Sequence, residues 1–127
     1  MKIWVDDIRP APEGYVRCKS VENAKLIIEY LETMVHYHNL ILKGNPPPFV
    51  RANTEKELEI YIIEVIDIDH DAGDYAQYGG DYIKLLDWLE ETGRNYPIRI
   101  HSMNVVGVAN MRAIIQKNGW KEVIDVE

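Results

Sequence analysis

Asp67-Ile68-Asp69-His70-Asp71-Ala72-Gly73 sets carboxylates on both sides of an imidazole, directly after an apolar run. Carboxylate oxygens are ligands for hard divalent cations, and imidazole is the side chain best suited to carry protons near neutral pH. The string therefore has the parts for metal-assisted acid–base chemistry. The run before it, Ile60-Tyr61-Ile62-Ile63-Glu64-Val65-Ile66, is rich in β-branched and aromatic residues and reads as a buried strand. Asp69, His70 and Asp71 then fall where that strand leaves the sheet, and Gly73 permits the turn that follows. Charge gathered at a core strand end is costly unless neutralised, and a divalent cation held by Asp69 and Asp71 is the common remedy. Taken alone, the string also reads as a solvated acidic turn.

Two further segments end in the same manner. Lys2-Ile3-Trp4-Val5 is a short apolar strand that stops at Asp6-Asp7, with Ile8-Arg9-Pro10 after it. Pro97-Ile98-Arg99-Ile100 is another, stopping at His101-Ser102-Met103-Asn104. In an open parallel α/β sheet, ligands bind outside the carboxyl ends of the strands. If the three strands are neighbours, Asp6, Asp7, Asp69, His70, Asp71, His101 and Ser102 converge on one pocket.

The remaining elements are read from spacing. Arg9 to Gly14 is a proline-rich loop, and Tyr15-Val16-Arg17-Cys18 is a second short strand. Ser20 is placed to cap a helix over about residues 21–33, with Val21, Ala24, Ile27, Ile28 and Leu31 on its buried side. Residues 34–57 are an apparent insertion: Met34 to Lys43 fits helix or strand, Asn45-Pro46-Pro47-Pro48 is a firm break, and Thr54 to Leu58 suits one helical turn. His36 and His38, two apart, fit a surface pair better than metal ligands, because no third ligand lies nearby. Asp74 to Gly80 reads as a polar loop beside the site, its Tyr75 and Tyr78 either surface packing or a stacking platform for a base. Asp81 is placed to cap a helix with Leu85, Leu86 and Leu89 inward and Gly93 as its stop. Gly107 to Asn118 spells another helix, and Trp120 to Val126 a last strand.

Composition limits what the chain does. Its 127 residues suit one domain with one core, and 46% hydrophobic against 28% charged residues is the balance of a soluble globular protein. No stretch approaches the roughly 18 apolar residues that span a bilayer. The chain opens at once on a strand, without a basic and apolar leader, so a cytoplasmic location is expected. Cys18 is the one cysteine, which rules out an internal disulfide and suits a reducing compartment. The net charge is −7, from 21 acidic and 14 basic residues, and no basic run offsets it. A long nucleic-acid backbone meets net repulsion here, whereas a small phosphate ester does not, since one metal ion and one arginine reverse the sign locally.

The ordered motifs Asp6-Asp7-Ile8-Arg9-Pro10-Ala11-Pro12, Ile68-Asp69-His70-Asp71-Ala72-Gly73 and Ile100-His101-Ser102-Met103-Asn104-Val105-Val106-Gly107 make the chain resemble the cyclic-phosphate-processing receiver family. These are divergent relatives of response-regulator receiver domains, linked to cyclic phosphate ends in RNA repair and nucleotide metabolism. Ala72 and Val105 stand where the family often has Leu and Pro. The resemblance implies a receiver-like, flavodoxin-like three-layer α/β/α sandwich with a parallel five-stranded sheet in the order 2-1-3-4-5. One such domain would fill residues 1–127, carrying the insertion at 34–57. Signalling receivers also place a Lys at the end of the fifth strand; here Lys121 lies at its start, which favours hydrolysis over a phosphorelay.

Opening a cyclic phosphodiester needs charge neutralisation, a nucleophile, and a proton for the leaving oxygen. In the expected pocket Asp6, Asp7, Asp69 and Asp71 supply ligands for a divalent metal, Mg²⁺ or Mn²⁺. Asp69, His70 and His101 are the expected catalytic residues, the two histidines as acid and base. Arg9, Ser102 and Asn104 are the expected phosphate-binding residues. Each also has a plainer role: Arg9 as a counter-charge for Asp7, Asn104 as the cap of the helix after it, His101 as a structural ring. The reading is a metal-dependent hydrolase of a small cyclic phosphate ester or nucleotide, or of an RNA 3′ end. No membrane partner is expected, and residues 34–57 offer a surface for a protein partner. The alternative is a non-enzymatic nucleotide- or metal-binding sensor, or a receiver-type signalling module.

Overall fold

A computed structural model describes residues 1–124. The elements run β1 (Lys2–Val5), β2 (Tyr15–Cys18), α1 (Val21–Lys43), α2 (Pro48–Tyr61), β3 (Val65–Ile68), a 3₁₀ turn (Gly73–Gln77), α3 (Ile83–Glu91), β4 (Ile98–Ile100) and α4 (Val105–Asn118). All strand pairs are parallel, in the order β2-β1-β3-β4. The chain is thus an α/β protein of receiver-like topology, with four strands instead of five. Where the fifth was expected, Glu122 makes a single parallel bridge to Ile98. Ile98 donates to the Lys121 carbonyl and Val123 donates back to Ile98. Asp125 and Val126 of that expected strand lie outside the described residues.

Pleating divides the sheet into unlike faces. Ile3, Val5, Cys18, Ile66, Ile68 and Ile98 point to one face and are fully buried there with Ala24 and Ile28 of α1, Leu85, Leu86 and Leu89 of α3, and Met111 of α4. Each such aliphatic side chain adds roughly 1.5–3 kcal/mol of burial. In register on the opposite face stand Arg17, Trp4, Asp67 and Arg99. Trp4 and Val65 on that face are buried, yet neither belongs to the helix-covered cluster. There the sheet borders a cavity of about 600 Å³ lined by Trp4, Tyr15, Asp67 and Arg99 among others.

Several boundaries differ from the sequence reading for physical reasons. Residues 34–57 form a helical hairpin: α1 runs on to Lys43, and α2 starts at Pro48, where a missing N–H costs nothing, and reaches Tyr61. Ile60 and Tyr61 therefore close a helix, and β3 begins only at Val65. Ser20 caps α1 as expected, accepting from Asn23 N at 3.0 Å. Asp81 does not cap α3; Tyr82 holds that position, and Asp81 Oδ1 instead accepts from Ala72 N at 3.1 Å, bracing the turn after β3. No helix among the described residues is long and apolar enough to cross a membrane.

His38, read from sequence as a surface residue, is 3% exposed between α1 and α2. Its Nδ1 donates to the Met34 carbonyl at 2.7 Å, which leaves Nε2 facing Glu57 Oε2 at 2.8 Å. Both partners are acceptors, so the charged ring is favoured: the Glu57 carboxylate, then Met34, raise its pKa above the ordinary 6.5 against the opposing effect of burial. A raised folded-state value adds stability below about 6.5 that is lost as pH rises through it. Wild type is expected to lose about 1 kcal/mol between pH 6 and 8 relative to Glu57→Gln, a small figure because Glu57 is largely exposed. Urea denaturation of both proteins across that range checks this; parallel pH profiles would refute it.

Candidate active site

Register carries the candidate residues to one edge. Val5 and Ile100 both align with Ile68, so Asp6, Asp69 and His101 occupy the next row beyond the ladder. Asp69 N still donates to the Val5 carbonyl and His101 N to the Ile68 carbonyl, each at 2.9 Å, which fixes that row. Asp7 joins from the turn after β1.

Asp6, Asp7 and Asp69 each offer a carboxylate oxygen, and the three oxygens lie within 4.8 Å of one another. Hard oxygen donors at this spacing fit Mg²⁺ or Mn²⁺ better than a softer metal. The backbone behind them is braced by Arg17, which donates to the Asp7 carbonyl at 3.1 Å and the Asp6 carbonyl at 3.5 Å. Asp6 Oδ1 accepts from the N–H groups of Ile8 and Arg9 at 2.9 and 3.0 Å. Burial pushes the Asp6 carboxyl up, but those two hydrogen bonds and His101 outweigh it and hold Asp6 below the usual carboxylate range. The field of the cluster is felt at Tyr82: burial first, then the charges of Asp7, Asp6 and Asp69, raise its phenol, whose hydroxyl donates to the Lys19 carbonyl. At Gly73 (φ +53°) the left-handed backbone favours glycine, and a Cβ there would crowd Asp7 Oδ2.

The two histidines differ sharply. His101 stacks on Trp4 with ring centroids 3.8 Å apart and planes 6° from parallel. Its Nδ1 meets Asp67 Oδ1 at 2.5 Å and its Nε2 meets Asp6 Oδ2 at 2.9 Å. Both ring nitrogens are thus committed to carboxylates that are themselves 1% exposed. Asp67 also pairs with Arg99 at 2.9 Å.

His70 instead lies against the start of α4. Its Nδ1 contacts Asp71 Oδ1 at 2.7 Å, while no described residue engages Nε2. A Cβ on Gly107 would meet the His70 ring at 2.4 Å, so the glycine is what lets the imidazole lie on the helix. Asn104 braces both sides of this contact: Oδ1 caps α4 by accepting from Gly107 N at 2.8 Å, and Nδ2 donates to Asp71 at 3.2 Å. The His70 contact, then Asn104, hold the Asp71 carboxyl below its ordinary value despite some desolvation.

Of the residues singled out by sequence, Asp6, Asp7 and Asp69 come together, and His70 stands beside them through its N–H to Asp69 Oδ1 at 2.7 Å. Asp71 stands outside that carboxylate group, turned to His70 and Asn104. Arg9 is exposed, and its side chain makes no hydrogen bond among the described residues. Ser102 Oγ accepts from Asn104 N at 3.1 Å, leaving its hydroxyl proton free to donate. The sequence reading passed over Asp67, Arg17, Trp4 and Gly107. Asp67 had a signal, since it lies two residues from Asp69 on the same strand face.

Replacing His101 with Ala leaves Asp6 without its buried donor and Asp67 with Arg99 alone. A buried acceptor left without its hydrogen-bond partner costs roughly 1–3 kcal/mol. Chemical denaturation of His101→Ala should show a loss of that order; wild-type stability would mean that solvent reaches the two carboxylates.

Neither the curated proteins nor the solved structures contain a match to the chain. A family model does match, described as the cyclic-phosphate processing receiver domain and covering residues 1–117. Aligned strand ends, a carboxylate cluster and the three ordered motifs agree with that match, and the chain belongs to the cyclic-phosphate processing receiver domain family.

Proposed function

We propose that the chain is a metal-dependent hydrolase that opens a cyclic phosphate ester, with Asp6, Asp7 and Asp69 as the metal ligands and His70 as the proton-transfer residue. The observation that carries this reading is the convergence of three carboxylates, with the next residue after Asp69, His70, holding its ring against the start of α4 and leaving Nε2 unengaged by any described residue. A bound divalent cation would neutralise charge on the phosphoryl oxygens. Asp71 accepts from His70 Nδ1–H, so the neutral ring presents its lone pair at Nε2. His70 takes a proton from the attacking water as the water oxygen bonds to phosphorus. The ring P–O bond breaks, and the departing alkoxide receives that proton. One water is added and a phosphomonoester results.

His101 is assigned a positioning role, because both of its nitrogens are occupied. Asn104 likewise holds Asp71 and the start of α4 in place of binding phosphate. Ser102 and the exposed Arg9 remain the side chains free to meet phosphate oxygens. The unpaired N–H groups of the first turn of α4, at Val105 and Val106, add to them. The membership in a cyclic-phosphate processing family supports the substrate class, a cyclic nucleotide or the cyclic phosphate end of an RNA.

The test is turnover of 2′,3′-cyclic nucleotides and cyclic-phosphate RNA ends with Mg²⁺ or Mn²⁺, against chelator, with the phosphomonoester read by phosphorus NMR. Positioned acid–base catalysis contributes about 10²–10⁴-fold, so His70→Ala should lose that much with little change in melting temperature. Gly107→Ala should act in the same way, because its methyl displaces the ring while alanine favours the helix. Binding without turnover would leave a sensor.

Thermal melts test the metal. A cation that binds only the folded chain raises its melting temperature by mass action. Wild type should rise with Mg²⁺ or Mn²⁺, and Asp69→Asn should not. Equal melts with and without cation would remove the metal from the reading.

A further inference from the structure

Helix α1 buries one side of its 23 residues and presents an apolar seam on the other. Leu26, Tyr30, Tyr37 and Leu40 are 67%, 53%, 57% and 53% exposed. Together with Thr33 they recur at intervals of four, three, four and three residues, which is the a/d spacing of a coiled coil. The seam lies opposite Ala24, Ile28 and Leu31, which face the core, and beside the flank where His38 meets α2. Scattered exposed leucines are ordinary, but four large apolar side chains repeating along one helix face, Tyr30 also edge-on to Tyr61 of α2, mark an interaction surface.

Charge along the seam selects the occupant. Glu22, Glu29, His36 and Lys43 border it at seven-residue intervals, two carboxylates in the first half of the helix and an imidazole and an ammonium in the second. Among the described residues none of these four side chains takes part in a hydrogen bond or salt bridge. In a parallel helix pair this border meets the opposite border of the second helix, here Ile27, Met34 and Ile41, and the charges go unpaired. In an antiparallel pair the border meets itself, and Glu22 and Glu29 face the partner's Lys43 and His36. We infer that α1 is the interface of a homodimer, in which two copies pack their Leu26–Leu40 seams antiparallel about a two-fold axis near Thr33. One patch thereby serves both subunits, as two-fold symmetry requires. None of the seam residues belongs to the carboxylate cluster at the strand ends.

The experiment is the mass of the full chain by sedimentation and light scattering across the micromolar range. A dimer is expected, and the double variant Leu26→Glu with Leu40→Glu should run as a monomer with an unchanged far-ultraviolet spectrum. Orientation is read by oxidative cross-linking of single substitutions, Cys18 being buried and out of reach. Thr33→Cys near the axis should form a disulfide with its own copy, whereas Leu26→Cys should not. A monomeric wild type, a larger assembly, a dimer that survives the double variant, or equal cross-linking at both positions would each overturn the inference.

Discussion

One imidazole shared between two buried carboxylates holds the working edge of this protein together. His101 comes from the end of β4, Asp67 from within β3 and Asp6 from the end of β1, so one ring joins three strands beyond the last ladder bond. Trp4 covers the face of that ring. The arrangement gives Asp6 a counterpart from behind, while Asp7 and Asp69 crowd it from the front. Three carboxylates this close repel, and they stay together because backbone N–H groups, Arg17 and His101 grip the chain on the side away from solvent.

The two faces of the sheet divide the labour. The aliphatic face, covered by α1, α3 and α4, supplies the burial that fixes the strands. The other face carries a row of charge and aromatic area, Arg17, Trp4, Asp67 and Arg99, which leads to the ring of His101. Rigidity at the site therefore comes from a polar network on one side and packing on the other. The same division separates the histidines: one is enclosed by acceptors, and the other lies on the first turn of α4 with a nitrogen to spare.

The strand ends and their polar residues were legible in the sequence because a period of two and an abrupt change from apolar to acidic are strong local signals. Parallel topology followed from the alternation of elements, and the caps Ser20 and Asn104 followed from residue type alone. What escaped was set by tertiary contacts. Ile60 and Tyr61 are β-formers taken up by the end of α2, where Tyr61 packs and Ile60 stays exposed, and His38 is buried by a helix that no periodicity had placed. His70 and His101 cannot be told apart by type or neighbours. Only the third dimension reveals that Asp67 and Asp6 enclose one of them and that Gly107 makes room for the other.

The alignment of Val5, Ile68 and Ile100 in one row has a consequence for folding fidelity. Side chains alternate along a strand, so if β3 slipped by one residue, Asp67 would enter the aliphatic layer and Ile68 would leave it. The same slip would take Asp69 out of line with Asp6 and His101. Misregistered chains would therefore lose core burial and the carboxylate edge in a single step. Packing of the aliphatic layer and alignment of Asp6, Asp69 and His101 are thus set by one and the same register.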